Sequence, residues 1–234
     1  MKSDFINIVF FTGAGMSAES GVPTYRGKGG IWHEYKWEEY ACQNAFDNNP
    51  QIVLDFHELR RIEALKCNPH SGHFRMSEIE SKKDKTYIIT QNIDGMHQRA
   101  ASKNVIELHG SLWRMKCQSE KIIIDDKKSG EYSSRYCKCG NVLRPDIVWF
   151  KDMLDEYTIK KATEVIINAD LFISIGTSAL VWPAAGYANL AKDNGAYMIE
   201  INPHNTELSA IYDKIIRKKA SEGLEYLVNE GYFN

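Results

Sequence analysis

The sequence predicts an α/β protein: a Rossmann-like parallel sheet carrying a smaller inserted lobe, part helical and part cysteine-containing. Three observations lead there. Short, continuous apolar runs alternate with helix-like stretches, as strands covered on both faces do. Each run ends in small or polar residues. Two stretches, about 28–70 and 114–144, break the alternation and read as insertions into one domain spanning 1–234.

The elements follow in order. "INIVFF" (6–11) is a strand that enters a glycine turn. Residues 28–70 hold aromatics and a helix, "PQIVLDFHELRRIEALK", in which the spacing of Ile52, Phe56, Leu59 and Ile62 predicts an inward apolar stripe. "TYIIT" (86–90) and "NVIEL" (104–108) are strands. Residues 114–144 are rich in Lys and Ser, contain clustered cysteines and end before Pro145. Helices over 156–169 and 183–195 connect the strands "LFISI" (171–175), "AYMIEI" (196–201) and "KII" (214–216). The basic run "IIRKK" reads as a solvated strand edge.

Composition narrows the function. The chain has 234 residues, 43% hydrophobic and 26% charged, with a net charge of -2. That balance gives no basic field for nucleic acid or a membrane surface. No apolar run approaches a membrane span, and none resembles a secretory signal. Five cysteines without a signal point to reduced thiols in the cytoplasm.

The candidate site lies on one rim. Gly13, Gly15 and Ala18 match the dinucleotide fingerprint directly after a strand. The hydride-transfer version wants an acidic residue about 20 positions on, at the end of a second strand. Glu34, Glu38 and Glu39 sit in a non-strand region, which disfavours a dehydrogenase. In an open parallel sheet, ligands bind beyond the carboxyl ends of the strands. Those ends read "TGAG", "QNID", "HG", "GTS" and "NP". Gln91, Asn92 and Asp94 suit an amide and a ribose; Thr177 and Ser178 add hydroxyls. His109 is the imidazole of that rim, either a general base or a cap on its strand.

These residues resemble the sirtuin family of NAD-consuming protein deacylases, closest to its bacterial deacetylase/desuccinylase branch. "GAGMSAESGVPTYRG", "TQNID", "ELHGSL", "LRPDIVWF", "IGTSALVWPAAG" and "IEIN" occur in family order from about Phe10 to Leu227. The resemblance implies that NAD is a co-substrate, consumed to remove an acyl group from lysine. It implies NAD contacts from Gly13, Ala14, Gly15, Met16, Ser17, Ala18 and Glu19, then Tyr25, Arg26 and Trp32. Further contacts would come from Gln91, Asn92, Ile93 and Asp94, from Gly176, Thr177 and Ser178, and from Asn202, Pro203 and Ala220. His109 would act as general base, with Asn92 and Asp94 at the nicotinamide and ribose. Tyr25 stands where the family has phenylalanine. Val148, Trp149 and Phe150, with the segment 178–184, resemble the strands that sandwich an acyl-lysine peptide; Trp149 and Trp182 read equally well as core.

The family's small lobe carries a structural zinc on two C-x-x-C pairs. Here Cys117 is followed at that spacing by Glu120, and the second pair is Cys137 and Cys139. The expectation is one zinc on Cys117, Cys137 and Cys139, with Glu120 or water as fourth ligand, or a metal-free lobe. Cys42 and Cys67 read as buried hydrophobes. Ala41, His57 and Arg60 match the positions with which one branch reads succinyl and malonyl chains, with His57 in place of its tyrosine. From that follows an expectation that acidic-acyl preference grows toward pH 6, as His57 gains charge. Desuccinylation, demalonylation and deacetylation thus stay open. On the same fold the alternative is an NAD hydrolase or ADP-ribosyltransferase. A peptide-binding regulator without chemistry is disfavoured by Asn92, Asp94 and His109.

Overall fold

The computed structural model describes residues 5–25, 30–126, 128–178 and 183–233; Arg26 and Trp182 lie outside them. Strands form where the apolar runs lie. They are β1 (Ile8–Thr12), β2 (Thr86–Thr90), β3 (Val105–Glu107), β4 (Gly110–Cys117), β5 (Ile122–Asp125), β6 (Arg144–Ile147), β7 (Leu171–Ile175), β8 (Tyr197–Ile201) and β9 (Lys214–Ile216). Six of them make a parallel sheet in the order β3-β2-β1-β7-β8-β9. β1 is central: Ile8 sits beside Thr86 on one side and Leu171 on the other. β9 is an edge strand, as the basic run beside it suggests.

The helices are α1 (Ala14–Ala18), α2 (Ile31–Glu34), α3 (Trp37–Tyr40), α4 (Gln43–Asn48), α5 (Pro50–Lys66), α6 (Ser71–Lys82), α7 (Met96–Arg99), α8 (Glu156–Ile167), α9 (Gly186–Asp193) and α10 (Ala220–Asn229). Two layers cover the sheet. Phe10, Ile88 and Ile173 face α6 and α10, through Met76, Ile79, Leu224 and Leu227. Val9, Phe11 and Phe172 face α8 and α9, through Ala162, Ile166, Ala188 and Ala191. Alternate residues of one strand therefore enter different cores. This is why the strands read as continuous apolar runs.

The small lobe joins α2 to α5 with an antiparallel sheet ordered β5-β4-β6. They share a third core around Leu54, Leu112, Met115 and Trp149. Helix α5 starts where its sequence says: Asn49 accepts from the Ile52 N–H, and Pro50 occupies the first turn. Its expected stripe is wrong. Ile52, Leu59 and Ile62 are 46%, 39% and 40% exposed, and only Phe56 of that set is buried. The inward side carries Val53, Leu54, His57, Arg60, Arg61 and Ala64. Arg61 can be buried because its charge is met: it pairs with Asp126 at 2.7 Å, donates to the Ser129 carbonyl, and lies 4.4 Å from the Tyr132 ring. Among the described residues, no helix is long and apolar enough to cross a membrane.

Candidate active site

The chain order reverses between β1 and β7, and the crevice of such a sheet opens there. Two glycine loops meet at this point. The Gly13 N–H donates to the Ile175 carbonyl, and the Gly15 N–H to the Gly176 carbonyl at 2.9 Å. A Cβ on Gly15 would lie 2.7 Å from the Gly176 Cα, and Gly176 itself has φ +61°. The glycines are thus needed for the loops to touch. Helix α1, which follows, has five residues. Met16 is fully buried in the core, so only its backbone faces the loop. Glu19 accepts from both the N–H and the hydroxyl of Ser221, which brings Ala220 and the start of α10 to the same loop.

On the other side of β1, the 91–94 loop docks against the first. The Gln91 N–H donates to the Thr12 carbonyl. Asn92 is buried and donates through Nδ2 to the Gly13 carbonyl (3.0 Å) and to Ser17 Oγ (3.2 Å). Asp94 accepts from the Met96 N–H at 2.9 Å. Burial raises its pKa, against the pull of the Met96 N–H, the Ser17 hydroxyl and the guanidinia of Arg99 and Arg60. Ala14, Ser17, Tyr25, Arg60, Asn92, Ile93 and Asp94 line one cleft.

His109 ends the turn after β3. Its Nδ1 lies 3.0 Å from the Gln91 carbonyl, which accepts no proton-free nitrogen, so Nδ1 is the protonated one. The lone pair is left on Nε2. Burial lowers the pKa, with the Gln91 carbonyl opposing, so the neutral base form prevails at neutral pH. A neutral imidazole with a fixed tautomer can take a proton.

The remaining rim residues cluster too. Asn202 donates through Nδ2 to the Thr177 carbonyl at 2.8 Å, and Thr177 Oγ1 lies 3.1 Å from Ser174 Oγ. Ser178 and Pro203 are exposed beside them. Tyr25 and Trp32 stack at 5.9 Å, and Trp32 continues onto Phe56. Arg60 reaches this aromatic group, with its guanidinium carbon 6.0 Å from the Tyr25 ring centre.

His57 differs from its expected role. Its Nδ1 donates to the Val53 carbonyl at 2.8 Å, and its Nε2 accepts from Trp149 Nε1 at 3.1 Å. Burial pushes its pKa down to about 4. Both nitrogens are committed and the ring stays neutral at pH 6, so the expected gain of charge there is overturned. Trp149 is buried, 3.8 Å beneath the Arg144 guanidinium carbon. The N–H groups of Val148, Trp149 and Phe150 go to the His109 carbonyl, Asp152 and the Ala41 carbonyl. A strand added there would find only carbonyls to pair with. Ala41 is buried behind Phe150.

The cysteines converge. The sulfurs of Cys117, Cys137 and Cys139 lie within 4.8 Å of one another, and Cys117 to Cys139 is 3.6 Å. A tetrahedral zinc with bonds of about 2.3 Å separates its sulfurs by about 3.8 Å, so the three thiols fit the ion. Glu120 is not in that group; its backbone N–H donates to Cys117 Sγ instead. Among the described residues no further His, Cys, Asp or Glu joins the three, so a fourth ligand would be a non-protein one such as water.

Two features escape sequence reasoning. His70, His73 and His97 cluster under the glycine loop, edge to face and tilted, with ring centres 4.4 and 5.0 Å apart. His70 Nε2 bonds the Met16 carbonyl, and His97 Nε2 lies 3.0 Å from Thr12 Oγ1. Two of them, His70 and His73, are three apart on the entry to α6, a signal that would have been visible. Lys151, just past Phe150, has φ +70°, which no residue pattern announces.

A model described as the Sir2 family matches residues 13–183. An NAD-dependent protein deacylase of Aquifex aeolicus is 42% identical over 227 residues, covering 94% of this chain and 93% of that protein. A Sir2 homologue mutant in complex with ADP-ribose superposes with TM-score 0.91 at 39% identity, covering 97% of this chain and 92% of the other. A Sir2 protein with a deacetylated p53 peptide and 3'-O-acetyl-ADP-ribose superposes with TM-score 0.84 at 27% identity, covering 98% and 95%. Crevice, loops and relatives agree over nearly the whole length, and the chain therefore belongs to the Sir2 family, the sirtuins.

Proposed function

We propose that this chain is an NAD-dependent protein-lysine deacylase of the cytoplasm, acting as one catalytic unit over 1–234 with inserted segments at about 28–70 and 114–144. NAD is a co-substrate: nicotinamide leaves, the acyl oxygen takes its place on the ribose, and one water then adds to the acyl carbon, so that free lysine departs with its proton and the acyl group stays as O-acyl-ADP-ribose. The observation that carries the reading is His109, held neutral with Nε2 free beside the Asn92–Asp94 loop. His109 takes the proton of a ribose hydroxyl as that oxygen attacks the acyl carbon. Asn92 holds the two loops together, and the Asp94 carboxylate would stabilise the positive charge that develops as the glycosidic bond breaks. The loops around Gly13–Glu19, Gly176–Ser178 and Asn202–Pro203, with Ala220, Tyr25, Arg26 and Trp32, hold the dinucleotide. Zinc on Cys117, Cys137 and Cys139 would tie the small lobe together and take no part in proton transfer.

The test is His109→Tyr. Deacylation should fall by about 100-fold or more while NAD binding, measured by calorimetry, persists. Near-normal turnover by the variant would sink the mechanism. Loss of NAD without acyl-lysine consumption would instead favour the hydrolase reading.

A further inference from the structure

The small sheet ends on an open edge. β5 lies outside β4, and no strand follows it among the described residues. Ile122, Ile123 and Ile124 are 45%, 61% and 36% exposed. Soluble proteins usually blunt such an edge with charge, proline or a covering element. Here the charges stand only at its two ends: Lys121 before the isoleucines and Asp125 after them, both exposed. Neither makes an ion pair among the described residues.

The ladder fixes which backbone groups are available. The Asp126 N–H donates to the Trp113 carbonyl at 2.9 Å, one step beyond the Arg114–Asp125 pair. Facing residues of an antiparallel pair alternate between exchanging both hydrogen bonds and exchanging none. Ile122, Ile124 and Asp126 therefore turn their backbone groups toward β4. Ile123 and Asp125 present theirs to the open edge.

We propose that this edge pairs with the same edge of a second copy of the chain, antiparallel, about a two-fold axis at Ile123. In that register Ile123 meets its counterpart and the two exchange both backbone hydrogen bonds. Ile122 faces Ile124 across the axis. The Lys121 side chain, leaving the turn, reaches Asp125 of the other copy. The run Lys-Ile-Ile-Ile-Asp is thus complementary to its own reverse. Laid parallel, it would set Lys against Lys and Asp against Asp, which is unfavourable. That charge pattern is what selects a second copy as the occupant. The contact is isologous, so it closes at two subunits. It is independent of the proposed activity, since none of these residues lines the crevice.

The experiment is sedimentation velocity on the full chain from about 5 to 500 µM, a range suited to a small, exchanging interface. Wild type should show a concentration-dependent monomer–dimer equilibrium. Lys121→Asp sets Asp against Asp at both ends, and Asp125→Lys sets Lys against Lys. Each should weaken dimerisation by about tenfold or more. An equimolar mixture of the two variants sets Asp against Lys at both ends and should recover the wild-type dimer. Zinc content and deacylase turnover of each variant report that it has folded. A wild type that stays monomeric throughout, single variants that dimerise as wild type does, or a mixture that stays monomeric would each overturn the proposal.

Discussion

Arg60 and His57 share one helix face but differ in what they can still offer. His57 has spent both ring nitrogens on Val53 and Trp149. Arg60 is only 9% exposed, and no carboxylate lies within ion-pair distance of it among the described residues. Its guanidinium instead meets Tyr25 and the field of Asp94, and it stands on the wall of the cleft, where an added carboxylate would be attracted. If Arg60 reads the carboxylate of a succinyl or malonyl chain, the charge-assisted bonds are worth about 1.5 to 3 kcal/mol. Arg60→Met should then lower kcat/KM for succinyl-lysine by roughly tenfold to a hundredfold and leave acetyl-lysine within about threefold. The succinyl-to-acetyl ratio should be flat between about pH 6 and 8, because His57 does not titrate there. A ratio indifferent to the substitution would remove Arg60 from acyl selection.

Among the elements, the contact between the two glycine loops is the most exacting. A Cβ on Gly176 would lie 2.5 Å from both the Gly15 carbonyl carbon and the Met16 nitrogen, at a φ that disfavours L side chains. Gly176→Ala should cost at least about 3 kcal/mol and lower Tm by roughly 6 to 12 °C, read by calorimetry. A Tm within a degree or two of wild type would mean that the loops separate cheaply. The sequence announced these loops well, because strand ends in a parallel sheet converge on one rim. Runs 86–90, 171–175 and 214–216 became strands with the same bounds; the first two are buried on both faces, while the third is an edge strand with Ile215 exposed. Helix α5 misled because apolar spacing cannot register a buried charge. Its Arg61 is satisfied by Asp126, 65 residues away in sequence. Helix α6 went unseen for a related reason: its buried side holds His73 and Glu80 beside only Met76 and Ile79. The rim residues were legible as a set. The carbonyl that fixes the His109 tautomer, and the two bonds that close His57, depend on backbone positions no pattern carries.

For the whole molecule, three buried imidazoles make stability depend on acid. Burial lowers the pKa of His57 to about 4, of His73 to about 2 and of His97 to about 3. In the unfolded chain each titrates near 6.5. The unfolded state therefore binds more protons below that value, so the stability these groups leave intact above about pH 6.5 is lost as pH falls through the window toward their folded values. Each costs about 1.4 kcal/mol per pH unit there, or about 2 kcal/mol by pH 5. Denaturant midpoints should fall steeply between pH 6.5 and 5, and His73→Leu should flatten that fall. An unchanged slope would mean that the imidazoles are protonated in the native state. The position of β1 has a further consequence for biosynthesis. Its edge beside Ile8 is closed only by Leu171 and the rest of β7. A nascent chain must therefore carry this fully buried, apolar strand half-unpaired until β7 has left the ribosome, more than 150 residues later in the sequence, an interval in which a chaperone has reason to hold it.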